Sequence, residues 1–328
     1  MEALIDVKGR ITWGIYDEHV QTVNYLDYAL QTPMGMTMPR FLKRILANQF
    51  HFVGIMGPEV IGGIAVVDLK YLTNGFFYLY DRQAKQMYES KALSVSGASI
   101  SPTPEKSLST FSSRGLKITI DGTTVSAQGK GLSLRTDLDT RQAKPLRICT
   151  RAGYRGWVYT QKTSPVGVRG SAMIGDRQID LSSPSTQALL DWTCGYMRRK
   201  TCWNWAASAS KLPDGRSLGL NFSCGVNETS FTENVFWIDN EMTKVDTVNF
   251  TFDDNDLKKP WQISSFDKKI NLTFHPEASR AENINAGFVA SRFSQLIGTF
   301  EGTLKTDNNE VIRIKDCPGF AEDHYSKW

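Results

Sequence analysis

The chain lacks several things that would narrow its class at once. No run of about 18 apolar residues occurs in the 328, so no membrane-spanning helix is expected. The opening stretch, Met1 to Arg10, alternates charged and apolar residues and has no signal-peptide core, which makes the cytoplasm the expected location. Cysteine is sparse: Cys149, Cys194, Cys202, Cys224 and Cys317 are odd in number, far apart and without a Cys-x-x-Cys pair, which favours neither a disulfide framework nor a zinc ribbon and points to free thiols. An excess of one charge is also missing, because 38 basic residues stand against 34 acidic ones. A net +4 this dispersed argues against nucleic acid as a partner.

Nucleotide and hydrolase motifs are absent as well. Gly129-Lys130-Gly131 has neither the upstream glycine nor the Lys-Ser/Thr pair of a P-loop, and neither Gly-x-Gly-x-x-Gly after a strand nor Gly-x-Ser-x-Gly occurs. The four histidines, His19, His51, His275 and His324, share no metal-ligand spacing. No cofactor and no metal is expected.

What the sequence has in quantity is turn chemistry. Gly57-Pro58, Asn74-Gly75, Asp121-Gly122, Gly175-Asp176, Asp214-Gly215, Asp239-Asn240, Asp267-Lys268 and Asp307-Asn308 punctuate short β-prone runs, the pattern of a sandwich or barrel. Asp121-Gly122 has type I′ hairpin composition, with both residues at positive φ. Helical signals are few. Met38 to Phe50 carries Phe41, Leu42, Ile45 and Leu46 at helical spacing behind Pro39, and its Arg40, Lys43 and Arg44 form either a solvated face or a contact for anionic lipid heads. A second short helix is expected over Ser185 to Trp192. Ala286 to Thr303 reads as a bent strand with glycines at 287, 298 and 302, against a competing helix over Phe288 to Leu296. The division of the chain falls near residue 185, giving β domains over 1–185 and 186–328.

Candidate site residues concentrate in the second of these. In a strand from Thr201 to Ala206, period-two alternation sends Cys202, Asn204 and Ala206 to one face and Trp203 and Trp205 to the other. Asn204 then either lines a pocket or ties down a loop. Tyr196 and Arg199 lie just upstream. Asn227, Glu228, Glu233 and Asn234, with Trp237 beyond them, mix polar groups with apolar flanks as a pocket wall would. Glu282 precedes the glycine-containing strand, and Glu322 and His324 stand in the dense polar and aromatic close of the chain. They serve either proton transfer or the capping of a last strand.

Arg199-Lys200-Thr201-Cys202-Trp203-Asn204-Trp205-Ala206, Val226-Asn227-Glu228-Thr229 with Thr232-Glu233-Asn234, and Gly319-Phe320-Ala321-Glu322-Asp323-His324-Tyr325 resemble the bacterial domain-of-unknown-function family 2804 over nearly the whole chain. More distantly, the Trp-Asn-Trp segment and the closing Gly-Phe-x-Glu are similar to motifs of the lipocalin-like carotenoid hydratases and tocopherol cyclases. There, Ala206 stands in place of a glycine, and Thr201-Cys202 in place of an Asp-His pair. The wider resemblance implies two linked antiparallel lipocalin-like, calycin-type β-barrels with few short helices, apolar ligands and cofactor-free chemistry.

Two functions follow as expectations. In the first, a barrel pocket binds a hydrophobic small molecule such as a lipid or isoprenoid, with Tyr196, Arg199, Trp203, Asn204, Trp205, Asn227, Asn234, Trp237 and His324 as contacts. In the second, a cofactor-free hydratase, isomerase or cyclase uses Glu228, Glu233, Glu282 or Glu322 as an acid whose pKa is raised by an apolar pocket. A structural protein with filled barrels is the third reading.

Overall fold

A computed structural model describes residues 1–226, 231–285, 287 and 289–328. The protein is mainly β, as the turn spacing predicts. Among the described residues, eleven antiparallel strands follow one path from Gln86–Ser94 through Asn48–Met56, Gln187–Tyr196 and Gly156–Ile174 to Ala98–Ile100, and this sheet curls into a nearly closed barrel. The second sheet has nine strands, ordered from Glu241–Lys244 through Lys200–Lys211, Val311–Lys327, Ala290–Lys305 and Ile270–Asn285 to Val248–Thr251. It forms a curled half-barrel where a second full barrel was expected.

Several local expectations shift. The helix expected over Ser185 to Trp192 is the strand Gln187–Tyr196, paired on both sides and reaching Tyr196 in the first sheet. Its adjacent leucines reflect burial of both faces, which gives a near-continuous apolar run rather than a helical period. The chain crosses to the second sheet between Tyr196 and Lys200. The hairpin at Asp121-Gly122 is displaced by one residue: Asp121 pairs with Thr124, so Gly122 and Thr123 form the loop, and only Gly122 takes positive φ (56°). The helix within Met38 to Phe50 spans Arg40–Leu46. The strand reading beyond residue 286 holds over Ala290–Lys305, with a register shift at Phe300/Gly302 where a glycine bulge was expected.

Three apolar clusters set the layers. Inward residues of the first sheet, among them Val53, Ile55, Ile64, Val66 and Phe77, fill the barrel. Phe222, Phe236, Trp261, Phe274 and Phe300 fill the curl of the second sheet. Met56, Tyr78, Leu189, Trp205, Ile297 and Phe320 form a third core where the outer faces of the two sheets meet. Close approach there depends on glycine. A Cβ on Gly54 would lie 2.7 Å from the Phe320 ring, and one on Gly219 would lie 2.7 Å from the Ser164 carbonyl. Ser164 Oγ also donates to the Ser208 carbonyl at 3.0 Å, and Arg82 grips Glu277 at 2.7 Å, so hydrogen bonds and an ion pair join the halves.

Candidate functional site

The expected hollow lies between the sheets rather than inside a barrel. It is a partly open cavity of about 270 Å³. Each wall is a set of cross-strand rungs, so strand register alone brings the residues together.

On the second sheet, pairing places Trp205 beside Glu322, Glu322 beside Gln295 and Gln295 beside Arg280. The next rung runs Trp203, His324, Phe293, Glu282. On the first sheet, Lys162, Asp191, Phe52, Ala65 and Phe76 form one rung. Thr160, Thr193, Phe50, Val67 and Asn74 form its neighbour. Period-two alternation explains the selection. Residues one step along the strands, Val53, Val66, Phe77 and Tyr159, point into the barrel, and Ala206, Leu296 and Ala321 point into the curl.

Glu322 is the chemically distinctive group. Its Oε1 accepts from Gln295 Nε2 at 2.6 Å and its Oε2 from Trp203 Nε1 at 3.3 Å. Burial pushes its pKa up to about 7 although both hydrogen bonds and the Arg280 charge pull it down. A carboxyl so placed exchanges its proton near neutrality.

His324 sits between rings, with centroids 4.1 Å from Trp203 and 4.8 Å from Phe293. Its Nε2 meets Ser326 Oγ at 2.9 Å and Ser291 Oγ at 3.1 Å. Burial, assisted by Arg280, lowers its pKa to about 3, so the imidazole is neutral at physiological pH.

Arg280 is buried with its guanidinium 4.2 Å from the Phe76 centroid, 4.8 Å from Tyr78 and 5.0 Å from Phe293, and its Nε donates to Glu89 at 2.9 Å. Lys162 pairs with Asp191 and lies 3.7 Å from Glu233. Burial opposes its charge, but those carboxylates outweigh burial and raise its pKa. Thr193 Oγ1 donates to Asp191 at 2.9 Å, completing a polar cluster in an otherwise apolar wall.

Of the residues singled out in the sequence, Trp203, Trp205, Glu233, Glu282, Glu322 and His324 line this cavity. Glu282 faces Lys91 at 3.9 Å. The other described ones lie elsewhere. Asn204 takes the face opposite the tryptophans and donates to Asp323 Oδ1 at 3.2 Å, so it fixes strand geometry. Tyr196 donates to the Tyr25 carbonyl at 2.8 Å within the first barrel's aromatic core. Arg199 is exposed and donates to the Trp328 carbonyl. Asn234 accepts from Ser223 N at 2.7 Å and donates to the Asp246 carbonyl, bracing buried backbone. Trp237 packs with Leu146 and Ile148 and donates to the Lys144 carbonyl. Asn227 and Glu228 lie outside the described residues.

Lys162, Asp191 and Arg280 escaped the sequence reading. For Lys162 and Asp191 the signal was a charge set inside an apolar or aromatic strand run, whereas Arg280 lies in a polar stretch and gave none. Among the described residues no three His, Cys, Asp or Glu side chains gather as a metal site, and no helix is long and apolar enough to cross a membrane.

Fold and cavity together define a two-sheet antiparallel β protein in which a nearly closed barrel and a half-barrel share a cleft between their outer faces. The chain belongs to the family described as Domain of unknown function (DUF2804), which matches residues 2–328. No curated protein matches it. Among solved structures, kievitone hydratase from Nectria haematococca is similar over 97% of this chain and 98% of its own, at 8% identity and a TM-score of 0.49. An AttH-like protein of Nitrosomonas europaea is similar over 86% of this chain and 92% of its own, at 10% identity and a TM-score of 0.43. Likeness of that degree carries no argument about activity.

Proposed function

We propose that the protein binds a small, mainly apolar molecule in the cleft between its sheets. The observation that supports this is the composition of the two walls: Phe50, Phe52, Phe76, Trp203, Trp205 and Phe293 surround the space, with a few convergent polar groups between them. Ligand pockets generally combine an apolar lining with a small number of placed polar groups, in volumes of roughly 300–1,000 Å³. At about 270 Å³ the cavity suits a small ligand. Titration with apolar candidates tests the reading through tryptophan fluorescence, because Trp203 and Trp205 stand in the wall. A bound ligand changes their emission and raises Tm. If no member of a broad panel of lipids, isoprenoids and phenolics does either, binding is refuted.

A second reading, cofactor-free acid catalysis on the same ligand, is favoured by Glu322. A carboxyl with a pKa of about 7 holds a proton it can give to an alkene or carbonyl, and the facing indole and phenyl rings would stabilise the resulting positive charge. Once a ligand is known, product formation by the wild type and its loss in Glu322→Gln would support catalysis. Unchanged ligand after prolonged incubation leaves binding alone.

A further inference from the structure

The geometry points to a membrane-docking surface near one wall of the cavity: the helix Arg40–Leu46 and the turn before it are built to sit on an anionic lipid surface. This inference rests on the helix and its charges, not on what fills the cleft.

The helix has no buried residue. Phe41 is 64% exposed, and Ile45, one turn later on the same face, is exposed beside Leu46. Met34, at the tip of the preceding turn, is 88% exposed, and Met36 follows it outward. A chain this rich in buried aromatic residues leaves a phenyl, two methionines and two aliphatic side chains in water within thirteen positions (34–46). Scattered single apolar residues need no explanation, but a cluster does.

Within the segment itself the charge is of one sign. Residues 31–46 contain Arg40, Lys43 and Arg44 and no acid. Lys43 turns inward, donating to the Tyr28 carbonyl at 2.6 Å and to that of Leu26 at 3.2 Å, which pins the helix to the short turn Tyr25–Asp27. Arg40 and Arg44 stay exposed, Arg40 only 3.6 Å from Asp27. Apolar side chains projecting among cations are the composition of an interfacial helix, where rings enter the acyl boundary and cations meet headgroup phosphates.

Position links the surface to the cleft. Lys70 lies 5.6 Å from the Tyr25 ring centroid, so the turn that holds the helix abuts the loop whose Leu69 and Leu72 line the cavity. One residue beyond Ala47, which caps the helix C-terminus, the chain runs into the strand that carries Phe50 and Phe52 to the wall. An apolar molecule leaving a bilayer at the helix would have a short path to the aromatic walls.

Co-sedimentation with vesicles of equal parts phosphatidylglycerol and phosphatidylcholine, against vesicles of phosphatidylcholine alone, tests this. The full chain should bind the anionic vesicles, release them as salt rises, and ignore the neutral ones. Phe41→Ser with Ile45→Ser, and separately Arg40→Glu with Arg44→Glu, should each lower the partition coefficient about tenfold or more. All four side chains are exposed, so the variants should keep the wild-type Tm. The salt series on unaltered protein decides the matter if they do not. Absence of vesicle binding, binding indifferent to salt and lipid charge, or binding untouched in folded variants would overturn the inference. So would a wild-type dimer in light scattering, dispersed by the same substitutions without vesicle binding, because the occupant of the surface would then be a second copy of the chain.

Discussion

Trp203 and Glu322 meet across adjacent strands of the second sheet, the indole N–H donating to the carboxyl Oε2 at 3.3 Å while Trp205 occupies the register position directly opposite Glu322. The contact makes one carboxyl both buried and satisfied, and its proton equilibrium gives the first prediction. The pKa of Glu322 rises from 4.5 unfolded to about 7 folded. Between those values the folded state holds more protons than the unfolded one, so this group's contribution to stability is full below pH 4.5 and is lost as pH rises through 7. Glu322→Gln removes that dependence. The wild type minus variant difference in unfolding free energy should shrink by a few kcal/mol from pH 4.5 to pH 8. Denaturant titrations at both pH values measure it, and a pH-independent difference would show an ordinary carboxyl.

Buried His51 and half-buried His324 behave in the opposite sense. Burial lowers His324 to about 3 and His51 to about 4, the latter with Nδ1 2.8 Å from Ser109 Oγ. Their contribution is present above the unfolded value of 6.5 and is lost as pH falls through 4 and then 3. NMR of the imidazole carbons should show both rings neutral at pH 5. A midpoint near 6.5 for either would contradict its burial.

Lys162 is held between Asp191 and Glu233 in a wall that offers them little water. Lys162→Met leaves the half-buried Asp191 without its paired cation and removes one positive charge from beside buried Glu233. It should cost about 3–5 kcal/mol, the penalty for breaking a buried ion pair from one side. Adding Asp191→Asn to that variant should recover part of the loss. Chemical denaturation of the single and double variants reads both quantities, and a loss below 1 kcal/mol would mean that water reaches the cluster.

Gly54→Ala tests the seam between the halves. The new methyl carbon would lie 2.7 Å from the Phe320 ring and 3.2 Å from Leu189 Cγ, in a core with little room to relax. Overpacking of this kind costs about 1–3 kcal/mol. Because the seam borders the cavity, ligand-dependent tryptophan emission should change in the same variant. Wild-type stability and emission together would show that the sheets do not close on this contact.

The fold was legible where chemistry is local. Most turn dipeptides delimited strands, but Asn74-Gly75 lies inside the strand Thr73–Asp81, paired on both sides; alternation at Trp203 to Trp205 assigned the two faces of their strand correctly. Glu322, Glu282 and His324 stood out as polar groups among strand-forming residues, and register gathered them onto neighbouring rungs. What the sequence hid was tertiary. Gln187–Tyr196 carries apolar residues on both faces because one faces the barrel and the other faces the second sheet, so its run resembled a helix. The same double burial moved the cavity from a barrel interior to the seam. Asn234 and Trp237 look like pocket residues in composition, yet their polar atoms are spent on backbone.

Photolabelling tests the central claim most directly. A short alkyl diazirine, irradiated with the folded protein and mapped by mass spectrometry, should attach to peptides bearing Phe50 and Phe52, Trp203 and Trp205, or Glu322 and His324, and an apolar competitor that raises Tm should block it. Labelling confined to residues that line the first barrel, such as Val53 and Phe77, or absent from all three wall segments, would contradict a ligand site between the sheets.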